Sequence, residues 1–359
     1  MKNVTKILTA VVLCAAIFAS TQRTDALGGN PALWPGDEAN IANFPGSIND
    51  HSHVQVTGVG SATNGVTGAQ DNETATILFD KDGTKWGFSI NDDKMDWFNI
   101  MWGNGDMGLS IGMLSSEDGG TTNNVANNEE ASGFKLGWGQ TMGFGDLGVT
   151  YVSTSMTDAG NGASKTVTDV NNIGVNWRGD VGFWVFDGLT ASLQMDDTDK
   201  ATTGTTTGQA GDVSSTTLSV TGFTHMDAGG ADVLFALGVE NKSGEEYNAT
   251  STATNKMDDT GHMHLNTTIA VEANMTDWAT FRLGATYAYQ LSGENDWTGP
   301  GGTSTGTGWE LGTGLGFNWG GFSADYHVSQ DFFNDPVSHI TGYSSDKLTD
   351  HGVTLTYSF

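Results

Sequence analysis

The side chains of this 359-residue chain that could do chemistry fall into a few small sets. Two His-x-His pairs, His51/His53 and His262/His264, come first. At i, i+2 on a strand both imidazoles share one face, and imidazole is a common metal ligand. An open zinc site needs three protein ligands, and spacing names no third, so no metal is assigned. Asp80-Lys81-Asp82-Gly83 is oxygen-rich, but no distal Glu completes a calcium-loop spacing, and a hairpin turn accounts for it. No Gly-x-Ser-x-Gly turn joins a strand to a helix, and no Gly-rich stretch carries the Lys-Ser/Thr that cradles phosphate. The single cysteine, Cys14, lies in the N-terminal apolar stretch. No catalytic residue and no cofactor is assigned.

The remaining charges have a pattern of their own. Lys135, Arg178, Glu240, Glu272, Arg282, Glu310 and Asp325 each directly follow an apolar residue. In an extended chain successive side chains point to opposite faces, so these seven oppose a greasy face. Around them the apolar residues recur with period two: Leu109, Ile111, Met113; Phe134, Leu136, Trp138; Leu189, Ala191, Leu193, Met195; Phe281, Leu283, Ala285, Tyr287, Tyr289. The last strand reads Val353, Leu355, Tyr357, Phe359 on one face, with Thr354, Thr356 and Ser358 between them. No long helical period follows residue 26.

Connections alternate in kind. Tight links occur at 103–105, 143–146, 227–230, 275–277 and 320–321, with a less regular one between Arg178 and Asp187. Polar segments rich in Gly, Asn, Asp, Ser and Thr occupy 116–131, 158–168, 199–213, 244–260, 293–306 and 331–347 and read as long loops. Trp102, Trp278, Trp319 and Phe359 lie at the short-turn end, where amphipathic rings favour a lipid–water boundary. The pattern predicts an all-β fold, a transmembrane antiparallel up-and-down barrel of 16 strands, with 14 as the alternative count. Putting Lys or Arg on its lipid face would cost roughly 2–4 kcal/mol at midplane, which assigns the seven charges to the lumen as pore-lining residues.

Composition agrees. Only 16% of residues are charged, against about a quarter in ordinary soluble domains, while 51 are Gly and 11 are Trp. Mean hydropathy is −0.27, and no apolar run after the first twenty residues approaches the roughly 18–20 needed for a membrane helix. Residues 1–26 read as a signal peptide, with Lys2 and Lys6 before the apolar run Ile7–Ala19. Cleavage after Ala19 or after Ala26 fits, and Ala26 is the preferred cut. Residues 27–50, with Pro31, Pro35 and Pro45, lack alternation and read as a periplasmic or lumenal extension; 51–359 form the barrel. A net charge of −28 excludes nucleic-acid binding. It is compatible with cation attraction at a pore mouth, or with divalent ions joining loops to anionic lipopolysaccharide.

The period-two strands, the turn rhythm and the terminal Phe359 resemble the porin-like outer-membrane β-barrels of Gram-negative bacteria. The resemblance covers most of the chain after the leader and is one of pattern. It implies location in the cell outer membrane, with contact to lipid and lipopolysaccharide. It further implies recognition of Phe359 by the barrel-assembly machinery, passive diffusion of ions and small hydrophilic solutes, and the option of a homotrimer; acidic residues along the path add the expectation of a cation preference. It also implies that the third long loop, 116–131, folds inward as a constriction through Glu117, Asp118, Glu129 and Glu130. The Pro-Glu-Phe-Gly-Gly-Asp constriction motif of general porins is absent, so the resemblance fixes neither the constriction nor the trimer. A structural or adhesive barrel with a plugged lumen is the second reading and a barrel enzyme the third.

Overall fold

The computed structural model describes residues 20–59, 73–92, 97–122, 125–159, 164–204, 211–247, 257–259, 261–293, 307–328 and 353–359. Residues 1–19 of the expected signal peptide 1–26, the predicted loop 293–306 apart from Gly293, and the predicted loop 331–347 lie outside them. The chain enters the sheet at β1 (His53–Val59), then β2 (Glu73–Lys81), β3 (Thr84–Asp92), β4 (Trp97–Gly103) and β5 (Met107–Thr122). It continues through β6 (Val125–Met142), β7 (Gly145–Ala159), β8 (Ser164–Phe183), β9 (Phe186–Gly204), β10 (Gly211–Asp227) and β11 (Ala231–Tyr247). The short β12 (Met257–Asp259) precedes β13 (His262–Thr276), β14 (Ala279–Gly293), β15 (Thr307–Trp319), β16 (Phe322–Val328) and β17 (Val353–Ser358).

Each strand pairs antiparallel with its sequence neighbours, except that β12 and β13 both pair with β11 and not with each other. The ring closes where β1 meets β17, His53 opposite Ser358 and Val56 opposite Leu355. β12 and β13 lie along the same strand, β11, as outer and inner parts of one wall position. The barrel therefore has sixteen strands. Closure leaves no sheet edge, so the backbone's polar groups are satisfied within the wall, as lipid requires. The turn between β2 and β3 puts Asp82 and Gly83 at φ 56° and 77°, the left-handed pair that matches strand twist in a two-residue hairpin.

Outside, the ring carries an apolar belt. Ile111, Met113, Leu136, Val239, Ile269, Leu283, Leu311 and Tyr357 are all exposed on it. At the short-turn end, Trp278 stacks on Phe317 and Trp319 at 6.1 and 6.4 Å, and Trp319 on Phe322 at 6.2 Å. Phe144, Phe183 and Trp184 are exposed at other short turns of the same end, and Phe359 ends the chain there, exposed.

The strands do not stop where the belt stops. The predicted loop 116–131 is instead the upper part of one hairpin. Ser116 pairs with Ala131, Glu117 with Glu130, Asp118 with Glu129, and the ladder runs on to Thr122 opposite Val125. β8 and β9 likewise pair out to Ser164 opposite Gly204. Above the belt both faces of a strand meet water, so period two disappears from the sequence while the hydrogen-bond ladder continues. Polarity there had mimicked a loop.

Candidate functional site

The inside of the barrel at its short-turn end is occupied by the chain's own N-terminal segment. α1 (Thr21–Ala26) is capped by the Ser20 hydroxyl, which accepts from the Arg23 N–H. Three short 3-10 helices follow, Pro31–Leu33, Glu38–Ala42 and Pro45–Asp50; Asn30 and Asp37 cap the first two. Proline lacks a donor and fixes φ, so Pro31 and Pro45 start helical turns and keep the segment out of the sheet.

This segment meets the wall at points spread around the ring. Ser20 donates to Asp325 on β16 at 3.1 Å, and Thr354 on β17 bonds Gln22. Leu27, Leu33 and Trp34 pack with Phe223, Leu234, Ala236 and Ala270 of β10, β11 and β13. Arg178 on β8 donates to Asn40 Oδ1 at 3.1 Å. Ile48 packs on Leu78 and Met101 of β2 and β4, with Ile41 against the same cluster. Two wall glycines fix how closely the segment lies: a Cβ on Gly108 would overlap the Pro45 carbonyl oxygen, and one on Gly148 the Asn43 carbonyl oxygen. Both obstacles are backbone atoms, which cannot rotate away. Glu38 reaches across to His53 Nε2 on β1 at 3.0 Å, while Asn40, two residues on, holds β8. Those strands stand on opposite sides of a sixteen-strand ring, so the segment bridges the lumen.

A buried ionic cluster locks it. Arg23 forms ion pairs with Asp37 at 2.9 Å and Glu272 at 2.5 Å. Arg282, fully buried, pairs with Glu272 at 2.9 Å and Asp325 at 2.6 Å. Burial opposes the Arg23 charge, but Glu272 and then Asp37 outweigh it and hold its pKa above the ordinary value. Asp37 goes the other way: burial pushes its carboxyl up to about 6, although Arg23 pulls it down. Burial, with neighbouring His53 and Lys85, lowers His51 to about 4.

All seven charges assigned to the lumen lie on the inward face by strand parity, but their surroundings differ from the expectation of open water. Glu272, Arg282 and Asp325 belong to the buried cluster. Arg178 is buried too, paired with Asp146 at 2.8 Å and stacked over Phe44 at 4.7 Å. Lys135 is half-buried over the Trp97 ring at 4.8 Å. Glu310 is exposed. Glu240 sits half-buried on β11 opposite His264, 3.6 Å from His262 Nε2 and 3.9 Å from His264 Nδ1. The inward-folding constriction through Glu117, Asp118, Glu129 and Glu130 is corrected. Glu117 and Glu130 are exposed on the outer face above the belt, in register with outward Met113 and Phe134. Asp118 and Glu129 oppose one another in the same hairpin.

Arg23 and Asp37 were missed because composition had assigned Arg23 to a leader and Asp37 to an unpatterned extension. One signal was available. Val233-Leu234-Phe235-Ala236-Leu237 is apolar on both faces, which in a water-filled barrel wall makes sense only if something apolar covers the inner face.

The closed ring, its apolar belt and its aromatic rim define an outer-membrane β-barrel. No protein-family model and no curated protein matches the sequence. Among solved structures, the chain is similar to the ferric citrate transporter FecA, at 12% identity over 77% of this chain and 50% of that one, TM-score 0.41. It is also similar to CdiB from Acinetobacter baumannii, at 12% identity over 86% and 59%, TM-score 0.42. An anion-selective porin from Comamonas acidovorans aligns at 13% identity over 73% and 95%, TM-score 0.33. The chain spans about half the length of the first of these.

Proposed function

We propose that the chain is an outer-membrane channel for ions and small hydrophilic solutes, narrowed at its short-turn end by residues 20–52 rather than by an inward loop. The observation that carries this reading is the segment itself, held across the lumen by Arg23, Asp37, Glu38 and Asn40 inside a ring whose upper inward face is polar. Above it the inward side chains include Glu240, Glu310, Thr221 and Asn266. Excess acid along such a path favours cations.

One observation favours a second reading, a barrel closed outright by its plug: Glu38 and Asn40 contact opposite walls. Reversal potentials in a salt gradient across a planar bilayer separate the two. The channel reading expects stable small steps with a cation-directed reversal potential. A potential at zero contradicts the cation preference, and silence from verified folded protein supports the closed barrel.

A further inference from the structure

We infer that Glu240, His262 and His264 form a binding site for a divalent transition-metal ion of the zinc type in the lumen wall. The site arises from two adjacent strands. His262 and His264 are i, i+2 on β13 and share its inward face with Thr268, Ala270 and Glu272. Glu240 stands on the inward face of β11, directly opposite His264 in the register. The strand pairing thus supplies the third ligand that sequence spacing could not name.

The geometry is close to what such an ion needs. One donor atom from each residue can be chosen so that all three lie within 4.8 Å of one another. Glu240 Oε1 is 3.6 Å from His262 Nε2 and 3.9 Å from His264 Nδ1, and the two rings are 4.3 Å apart. Metal–ligand bonds of about 2.0–2.1 Å in a tetrahedron put donors roughly 3.3 Å apart, so side-chain rotations that draw the donors together by at most about 1.5 Å close the set. His264 Nε2 is buried and has no hydrogen-bond partner among the described residues, so no second hydrogen bond ties that ring to another orientation.

The donor chemistry selects the ion. Two imidazole nitrogens and one carboxylate suit zinc, copper or nickel, whereas calcium and magnesium take oxygen donors. Three protein ligands leave the fourth position open toward the lumen, as in exchangeable zinc sites. Lys242 on β11 stands opposite His262 in the register and faces the same way, a positive neighbour that weakens the site. The site lies level with Val239 and Leu265, at the upper edge of the belt and above the N-terminal segment. A cation entering from the long-loop side reaches it without passing the plug.

The test is zinc binding by the folded protein in detergent, by competition with a chromophoric chelator in millimolar calcium. We expect one tight zinc per chain that calcium does not displace. His262→Ala, His264→Ala and Glu240→Gln should each weaken it at least tenfold, Lys242→Gln should tighten it, and His51→Ala should leave it unchanged. Heat-modifiable gel migration confirms that each variant folds. The unmodified chain loaded with Co2+ provides a readout independent of mutation, the visible absorption of a four-coordinate nitrogen–oxygen site. Absence of retained zinc, equal displacement by calcium, or unchanged affinity in the double variant His262→Ala/His264→Ala overturns the assignment. None of these readouts depends on whether the barrel conducts.

Discussion

Arg282 touches no solvent and pairs with two carboxylates, Glu272 on β13 and Asp325 on β16. Removing one member of a buried ionic group leaves the rest uncompensated, at a cost of about 3–5 kcal/mol. Arg282→Met should destabilise the barrel by that order in urea unfolding, and adding Glu272→Gln and Asp325→Asn should recover most of it. The plug's own titratable groups oppose each other. Asp37, raised to about 6 from 3.8, and Asp50, also raised by burial, contribute stability that is full below the unfolded carboxyl pKa and lost as pH rises through the folded value. His51, lowered to about 4 from 6.5, contributes stability that is full above 6.5 and lost as pH falls through about 4. Acidification from pH 7 to 4.5 should therefore tighten the segment in His51→Asn and loosen it in Asp37→Asn/Asp50→Asn, read as protease protection of residues 20–52. Opposite signs would contradict the burial assigned to these groups. The inward parity of the seven wall charges is legible from sequence because side-chain alternation is built into an extended backbone, whereas the burial of Arg178, Glu272, Arg282 and Asp325 is not. The Arg23–Glu272 contact was not, since 249 residues separate its partners and only closure of the ring brings them together.

At the scale of elements, the strands inside the belt could be read directly, because lipid outside and a different medium inside impose period two. Their upper halves could not, and neither could the N-terminal segment, whose turns are set by Pro31, Pro45 and the caps Asn30 and Asp37 rather than by any apolar period. The segment also bears on the leader. Cutting after Ala26 would remove α1 with Arg23 and leave Asp37 and Glu272 facing each other without their shared cation. Cutting after Ala19 keeps the cluster whole. We expect the mature chain to begin at Ser20, checked by intact mass of protein extracted from outer membranes; a mass beginning at Leu27 would contradict this.

For the whole molecule, the proposed channel takes the ring as its passage and the N-terminal segment as the part that sets how much of it is open. The two parts are separable in principle: strand pairing and the apolar belt hold the ring, while close approach of Pro45 to Gly108 and of Asn43 to Gly148 holds the segment. Valine at both glycines needs the space now filled by backbone oxygens and should push the segment off the wall while the strands stay paired, since valine suits a strand. The most direct measurement is single-channel conductance of the intact protein beside Gly108→Val/Gly148→Val, both verified as folded. Steps severalfold larger in the variant are the predicted result. Equal conductance in the two proteins would contradict the claim that residues 20–52 limit passage through the barrel.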